Sequence, residues 1–369
     1  MFLLLGIVAY FVVKLLLKIG VIDGKKYIMI AVSFLFVTLP GYFKAKDSDY
    51  ASELRKNRIP ERAPKEQDFD IYSITTKVIG NCPCRIYKPK KVSNDLLFIY
   101  FHGGGWVECH PGFYDHLMEK FIDELNCTIV SIDYPLAPED IFPVGVNESY
   151  NTIANLMGSL TEIIGFETKN VMVGGDSSGG GLTANMTQRA ALNNKDWFRY
   201  QLLLYPALGS LNFQSQSYKE YHKTKLKSVL SPEYFARPFL TYLGIKVTKE
   251  NIKELINCDS VLPKLSKDSP LAPFVNNLDL SPILADEQLL KKLPSSITFL
   301  AHADILTDEG FDYHMNMKKA SIKNASILHE FHWIKNSTHG EYTFNRGAAG
   351  YEMVKEVKYF LDKVNALNN

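Results

Sequence analysis

The chain has 369 residues, of which 46% are hydrophobic and 22% are charged, as in an ordinary globular protein. This length suits one large α/β domain or two smaller ones and is ample for a sizeable hydrophobic core. A formal net charge of +1 and the absence of any basic run longer than two residues argue against nucleic acid as a partner.

The first 43 residues contain two apolar stretches. Residues 2–22 are apolar apart from Lys14 and Lys18, and a helix needs about 20 apolar residues to cross the hydrocarbon layer. A second apolar run follows over 27–43. A cleaved signal peptide is disfavoured, because the first run is too long and lacks a small-residue cleavage site. The sequence therefore predicts a membrane anchor over residues 1–43, with one or two apolar segments.

The side of the membrane on which the remaining chain lies depends on how often residues 1–43 cross it. Lys14, Lys18, Lys25 and Lys26 all lie C-terminal to Met1, so a single crossing favours a cytoplasmic domain, whereas a hairpin returns the domain to the side of the N-terminus. Sequons that allow N-glycosylation in a lumenal domain occur at Asn126, Asn147, Asn185, Asn324 and Asn336.

Cysteine is sparse, and the five cysteines are an odd number, so at least one thiol is free unless it pairs between chains. Cys82 and Cys84 have the wrong spacing for a zinc knuckle or a C-x-x-C redox motif. The sequence predicts scattered buried thiols with at most one disulfide.

Beyond a charged segment over 44–70, interpreted as a linker or a contribution to a cap, apolar runs alternate with amphipathic stretches. Several runs are almost continuously apolar, which is typical of strands buried on both faces. Predicted strands lie at 71–78, 84–87, 96–101, 128–133, 171–174, 201–205, 296–301 and 327–331, and predicted helices at 116–125, 150–160 and after Ser177. This alternation predicts an α/β fold with a mostly parallel central sheet flanked by helices.

Residues 208–284 interrupt this alternation, because they contain many aromatic residues and no convincing strand. The segment is long for a connection inside an α/β domain. It is interpreted as a helical cap inserted into a core formed by 71–207 and 285–369. The alternative is a pair of packing helices that does not control access to a site.

The pentapeptide Gly175-Asp176-Ser177-Ser178-Gly179 follows an apolar strand and precedes a helical pattern. A Gly-x-Ser-x-Gly frame in this strand–turn–helix context exposes a nucleophilic serine on a strained turn. The frame selects Ser177. A phosphate-binding turn is the alternative, although the Gly-x-x-x-x-Gly-Lys pattern is absent.

His102-Gly103-Gly104-Gly105-Trp106 closes an earlier predicted strand. Consecutive glycines can direct backbone N–H groups at one point without side-chain obstruction, as stabilising an oxyanion requires. The predicted donors are the amides of Gly103 and Gly104, together with that of Ser178.

A serine nucleophile needs a histidine base and a carboxylate that orients it, in the chain order Ser, Asp or Glu, His for this type of turn. Asp304 stands at the end of a predicted strand, where the acid belongs, and Asp308 is the less favoured alternative. His339 follows the last predicted strand in a loop. Ser177, Asp304 and His339 are therefore the candidate catalytic residues.

These motifs resemble the hormone-sensitive-lipase-like branch of the α/β-hydrolases, and within it the group of arylacetamide deacetylase and neutral cholesterol ester hydrolase. The resemblance extends over DYPLAPE (133–139) and the SPLA and LDLSPILAD stretches of 269–286, and so covers most of the chain. The chain departs from that pattern at Pro135, where the branch has arginine, and at Ser178, where alanine is usual.

The resemblance implies an α/β-hydrolase fold with Ser177 as nucleophile, Asp304 as acid and His339 as base. It also implies a cap over an apolar acyl pocket, and attachment to the endoplasmic reticulum membrane with a lumenal catalytic domain. The main hypothesis is a membrane-anchored serine hydrolase for uncharged lipophilic carboxylic esters, which needs no metal and no cofactor. The alternatives are amide hydrolysis by the same residues and a catalytically silent ligand-binding or adhesion protein of the same fold.

Overall fold

The computed structural model describes residues 66–368, except residues 92–93, 210, 222, 224–229 and 345–347. The predicted anchor over 1–43 and most of the predicted linker over 44–70 lie outside the described residues. Within the described part, no helix is both long enough and apolar enough to cross a membrane. Membrane anchoring therefore stays a prediction.

The described residues form a sheet of nine strands. The strands are β1 Gln67–Asp68, β2 Tyr72–Ile79, β3 Cys82–Pro89, β4 Leu97–Phe101, β5 Thr128–Ile132, β6 Val171–Asp176, β7 Tyr200–Leu204, β8 Ser295–Ala303 and β9 His329–Thr338. Their order across the sheet is β1-β2-β3-β5-β4-β6-β7-β8-β9. Pairs from β1 to β5 are antiparallel, and every later pair is parallel. The predicted, mostly parallel sheet is confirmed.

Each predicted strand is present, with two differences at the edges of the sheet. β1 lies inside the segment predicted as a linker and pairs with β2, so the sheet begins before residue 71. β9 continues to Thr338, although its apolar run ends at Phe331. The second half of this edge strand carries exposed polar residues, so hydrophobicity could not reveal it.

Helices cover both faces of the sheet. They are α1 Asp115–Leu125, α2 Val144–Gly158, α3 Leu160–Ile164, α4 Ser178–Leu192, α5 Gln216–Glu220, α6 Pro232–Tyr242, α7 Lys249–Ile256, α8 Glu287–Leu290, α9 Thr307–Ala320, α10 Glu341–Phe344 and α11 Ala348–Leu367. Short 3-10 turns lie at Pro111–Tyr114, Ala272–Phe274 and Pro282–Leu284.

Alternate side chains of the central strands enter two different hydrophobic clusters. In β4, Leu97, Ile99 and Phe101 join one cluster, whereas Phe98 and Tyr100 join the other. Because successive side chains of a strand point to opposite faces, the sheet is buried on both sides. This explains the nearly continuous apolar runs in the sequence.

The described residues of the 208–284 segment form α5, α6 and α7 and no strand. Its aromatic side chains pack together: the rings of Phe213 and Tyr218 lie 5.0 Å apart, and those of Phe213 and Phe235 lie 5.6 Å apart. This cluster is continuous with one hydrophobic face of the sheet. The segment is therefore packed on the α/β core.

All five cysteines are free thiols, and four of them are buried. Burial raises the pKa of Cys82 and of Cys258 to about 11, so these thiols are unreactive at neutral pH. Among the predicted sequons, Asn185 is only 3% exposed inside α4. The folded chain therefore cannot carry a glycan there.

Candidate active site

Ser177 alone connects β6 to α4. Its backbone has φ 54° and ψ −121°, a region that residues with side chains rarely occupy. Two hydrogen bonds hold this turn: Ser177 N donates to Leu204 O at 2.9 Å, and Ala207 N donates to Ser177 O at 3.0 Å. The predicted strand–turn–helix context is thus present.

The glycines beside Ser177 are required by close backbone packing. A Cβ on Gly175 would lie 2.5 Å from Phe101 O, and a Cβ on Gly179 would lie 2.5 Å from His102 O. Real Cβ atoms do not approach backbone oxygens so closely. The end of β4 can therefore lie directly against the turn only because both positions are glycine.

The structure brings Ser177, Asp304 and His339 together in one hydrogen-bonded chain. His339 lies between β9 and α10, and its Nε2 is 2.8 Å from Ser177 Oγ. Its Nδ1 is 2.7 Å from Asp304 Oδ2. The other Asp304 oxygen accepts the N–H of Leu306 at 3.1 Å. The three residues are each at most 8% exposed, so bulk water competes little for these bonds.

Asp308 lies outside this chain of contacts. Its Oδ2 accepts the N–H of Ser217 at 2.7 Å, and the Ser217 hydroxyl donates to Ile305 O at 2.6 Å. The next residue, Glu309, accepts the N–H of Leu208 at 2.6 Å. The loop after β8 carries Asp304, and this loop and the first turn of α9 together hold Leu208 and Ser217 of the 208–284 segment.

Gly103 does not serve the role predicted for it. Its N–H donates to Asp176 Oδ1 at 2.8 Å and to the Tyr114 hydroxyl at 3.0 Å. A donor already bonded to a buried carboxylate is not available to an oxyanion, so the assignment of Gly103 was wrong. The sequence could not reveal this, because three successive glycines look equivalent as donors.

The next two amides are free. Gly104 and Gly105 have φ of 115° and 60°, which glycine tolerates, and their N–H groups have no acceptor among the described residues. The N–H of Ser178 lies in the first turn of α4, where no intrahelical acceptor exists.

Asp176 was not identified from the sequence. This buried carboxylate accepts hydrogen bonds from the hydroxyls of Tyr100 and Thr343, at 2.8 Å each, besides the Gly103 N–H. Burial raises the pKa of Asp176, and the hydrogen bonds with Thr343, Tyr100 and Gly103 oppose that rise. The available signal was a charged residue at the end of an otherwise apolar run.

Trp106 connects the glycine loop to the 208–284 segment. Its ring stacks on Tyr242 of α6, with centroids 4.7 Å apart and planes 6° apart. A second ring of α6, Phe239, lies 5.9 Å away. The Cβ that Gly105 lacks would lie 3.0 Å from Pro238, also in α6. This helix therefore packs directly on the glycine loop.

Residues 98–340 match the profile of a family described by the alpha/beta hydrolase fold. The chain belongs to this family. Arylacetamide deacetylase from Oryctolagus cuniculus is 28% identical, over 80% of this chain and 81% of the relative. Neutral cholesterol ester hydrolase 1 from Mus musculus is 26% identical, over 72% of each chain. The predicted resemblance to this group of hydrolases is confirmed.

Solved esterase structures share the fold. Carboxyl esterase 2 from the fungus Tuber melanosporum superposes with a TM-score of 0.63 at 21% identity, covering 83% of this chain and 89% of the esterase. A hyperthermophilic esterase from the archaeon Pyrobaculum calidifontis superposes with a TM-score of 0.61 at 24% identity, covering 82% and 85%.

Proposed function

We propose that this chain is a membrane-anchored serine carboxylesterase that cleaves uncharged, lipophilic carboxylic esters through an acyl-enzyme. The observation that carries the proposal is the hydrogen-bonded chain from Ser177 through His339 to Asp304. This arrangement supplies a nucleophile, a base and an orienting carboxylate in reach of one another. The esterase and deacetylase names of the relatives support the same reaction class.

In the first half of the reaction, Ser177 Oγ attacks the ester carbonyl while His339 Nε2 takes its proton. Asp304 keeps the Nδ1–H directed at itself and stabilises the imidazolium that forms. His339 then gives the proton to the departing alcohol, which leaves an acyl group on Ser177. In the second half, a water molecule attacks that acyl group, His339 takes the proton of the water, and Ser177 regains it as the acid departs.

The negative oxygen of each tetrahedral intermediate needs hydrogen-bond donors that are already in place. We assign this role to the N–H groups of Gly104 and Gly105, which directly follow the Gly103 N–H bonded to Asp176, and of Ser178, which directly follows Ser177 in the first turn of α4. Removing one such donor costs a factor of roughly 10² to 10³ in kcat in serine hydrolases.

The substrate class follows from the surroundings of the site. The aromatic 208–284 segment packs on the glycine loop and would act as a cap that favours apolar groups. The acidic and basic residues of the sequence show no clustering that would select a charged substrate. Arylamides are a second substrate class open to the same residues. Residues 1–43 would tether the enzyme to the endoplasmic reticulum membrane, with the catalytic domain on the lumenal side.

The test is labelling with a fluorophosphonate, together with hydrolysis of short-chain and long-chain p-nitrophenyl esters. Wild type should label and turn over, Ser177→Ala should lose labelling and on the order of 10⁶-fold in kcat, and Asp304→Asn about 10⁴-fold. Asp308→Asn is the matched control, since this carboxylate lies nearby in the first turn of α9 and outside the triad, and it should label normally. A folded wild type that neither labels nor hydrolyses any ester would establish the alternative, a silent ligand-binding protein.

A further inference from the structure

The carboxylate of Asp176 receives four hydrogen bonds from three separate stretches of the chain. Its Oδ1 accepts the Tyr100 hydroxyl of β4 and the Gly103 N–H, at 2.8 Å each. Its Oδ2 accepts the Thr343 hydroxyl of α10 at 2.8 Å and the Tyr114 hydroxyl at 3.1 Å. The side chain is 3% exposed. Every partner is a donor, so both oxygens are fully used by the surrounding structure.

The first consequence concerns the glycine loop. Asp176 immediately precedes Ser177, and Gly103 immediately precedes Gly104. The bond between Gly103 N–H and Asp176 therefore ties the loop of proposed oxyanion donors to the turn that carries the nucleophile. The loop rests directly on the carboxylate, because a Cβ on Gly103 would lie 2.6 Å from Asp176 Oδ2.

The second consequence concerns the base. Thr343 follows His339 by four residues, and its hydroxyl lies 3.0 Å from the Tyr205 hydroxyl. The Tyr205 ring meets the His339 ring edge to face, with centroids 5.0 Å apart. Asp176 thus reaches the segment of the base through Thr343, and Thr343 reaches the imidazole through Tyr205.

We propose that Asp176 is a positioning residue that aligns the oxyanion donors and His339 with Ser177, without itself touching the substrate. The inference rests on the proposed function, since alignment matters only if these groups react. A misplacement of about 1 Å in such an arrangement costs on the order of 10²-fold in rate.

Asparagine at position 176 has the same shape but replaces one acceptor oxygen by an N–H donor. That N–H would face groups that also donate, so half of the network loses its acceptor. We expect Asp176→Asn to lower kcat by about 10²-fold while KM for a short p-nitrophenyl ester changes little. Asp279→Asn is the matched control. It replaces a half-buried carboxylate that accepts two hydrogen bonds from Arg189, and it should leave kcat unchanged.

A second pair of variants keeps the test decisive if Asp176→Asn does not fold. Thr343→Val preserves shape but removes one donor to Asp176, and Thr343→Ser preserves the hydroxyl. We expect valine to lower kcat about 10-fold with little change in KM, and serine to restore it. A purely structural role would lower the melting temperature and leave kcat of the folded fraction intact.

Wild-type labelling by fluorophosphonate separates the two proposals. If wild type labels and turns over, but folded Asp176→Asn or Thr343→Val retains kcat within about twofold, the positioning role is refuted and the proposed function stands. If wild type fails to label, the proposed function itself is refuted, and the positioning role falls with it.

Discussion

Glu309 lies in the first turn of α9 with its carboxyl group against the backbone of Leu208, whose N–H it accepts at 2.6 Å. Burial raises its pKa from 4.5 to about 8; the negative charges of Asp304 and Asp308 add to the rise, and backbone hydrogen bonds oppose it. Between these two pH values the folded chain holds a proton that the unfolded chain releases. The resulting stability is complete below about pH 4.5 and is lost as the pH rises through 8.

Glu309→Gln stays uncharged and keeps an acceptor for the Leu208 N–H, so it should remove this dependence. Relative to the variant, wild type should lose on the order of 3 kcal/mol of unfolding free energy between pH 5 and pH 8, because tenfold in proton affinity is worth about 1.4 kcal/mol. Urea unfolding of the full chain in detergent measures the difference. Glu330→Gln, which removes a half-buried ion pair with Lys363, is the control. A wild-type minus variant difference that is constant over this pH range would contradict the prediction.

At the scale of elements, α6 and the glycine loop meet through Trp106, which is 5% exposed. Its ring lies between Tyr242 of α6 and the first turn of α4, where a Cβ on Gly181 would be 3.6 Å from it. Any shift of α6 would therefore displace Trp106, which directly follows Gly104 and Gly105 in the chain.

Trp106→Ala should destabilise the protein by about 3–5 kcal/mol, because a large buried ring leaves a cavity. It should also lower kcat by about 10-fold or more, since the adjacent oxyanion donors lose their support. Thermal unfolding and p-nitrophenyl ester kinetics measure the two effects. Trp197→Ala is the matched control: this half-buried ring packs on Tyr150, so its loss should reduce stability alone. Equal kcat in both variants would show that α6 does not support the loop.

The sequence predicts the elements and residues that have a local pattern, and it does not predict those that depend on contacts between distant parts of the chain. Strands buried on both faces are apolar throughout, so the sequence pattern predicts them. The second half of β9 is polar, so the pattern does not predict it. The contact between Ser177, His339 and Asp304 could be predicted because their residue types and chain order are distinctive. Gly103 and Asp176 were misjudged or missed because their roles depend on a contact between residues 73 positions apart, which no local pattern encodes.

For the whole molecule, the predicted anchor over residues 1–43 would decide where the enzyme works. Residues 1–43 are predicted to hold the full chain in the membrane, so alkaline carbonate should not release it and detergent should. A chain that begins at residue 44 should be soluble and still label with fluorophosphonate, which shows that it is folded. Comparing pellet and supernatant after carbonate treatment measures the effect. Release of the full chain by carbonate would exclude a transmembrane anchor.

The bonds that Ile305, Asp308 and Glu309 make to the start of the 208–284 segment bear on protein engineering. Swapping this segment between relatives is an obvious route to a new substrate range. Here Leu208 and Ser217 are anchored to Asp308, Glu309 and Ile305, close in the chain to the proposed acid. A chimera joined at residue 208 would replace Leu208 and Ser217, which bind those anchors, together with the rest of the segment. A junction placed after Ser217 would import a foreign binding surface and leave the native support of Asp304 in place.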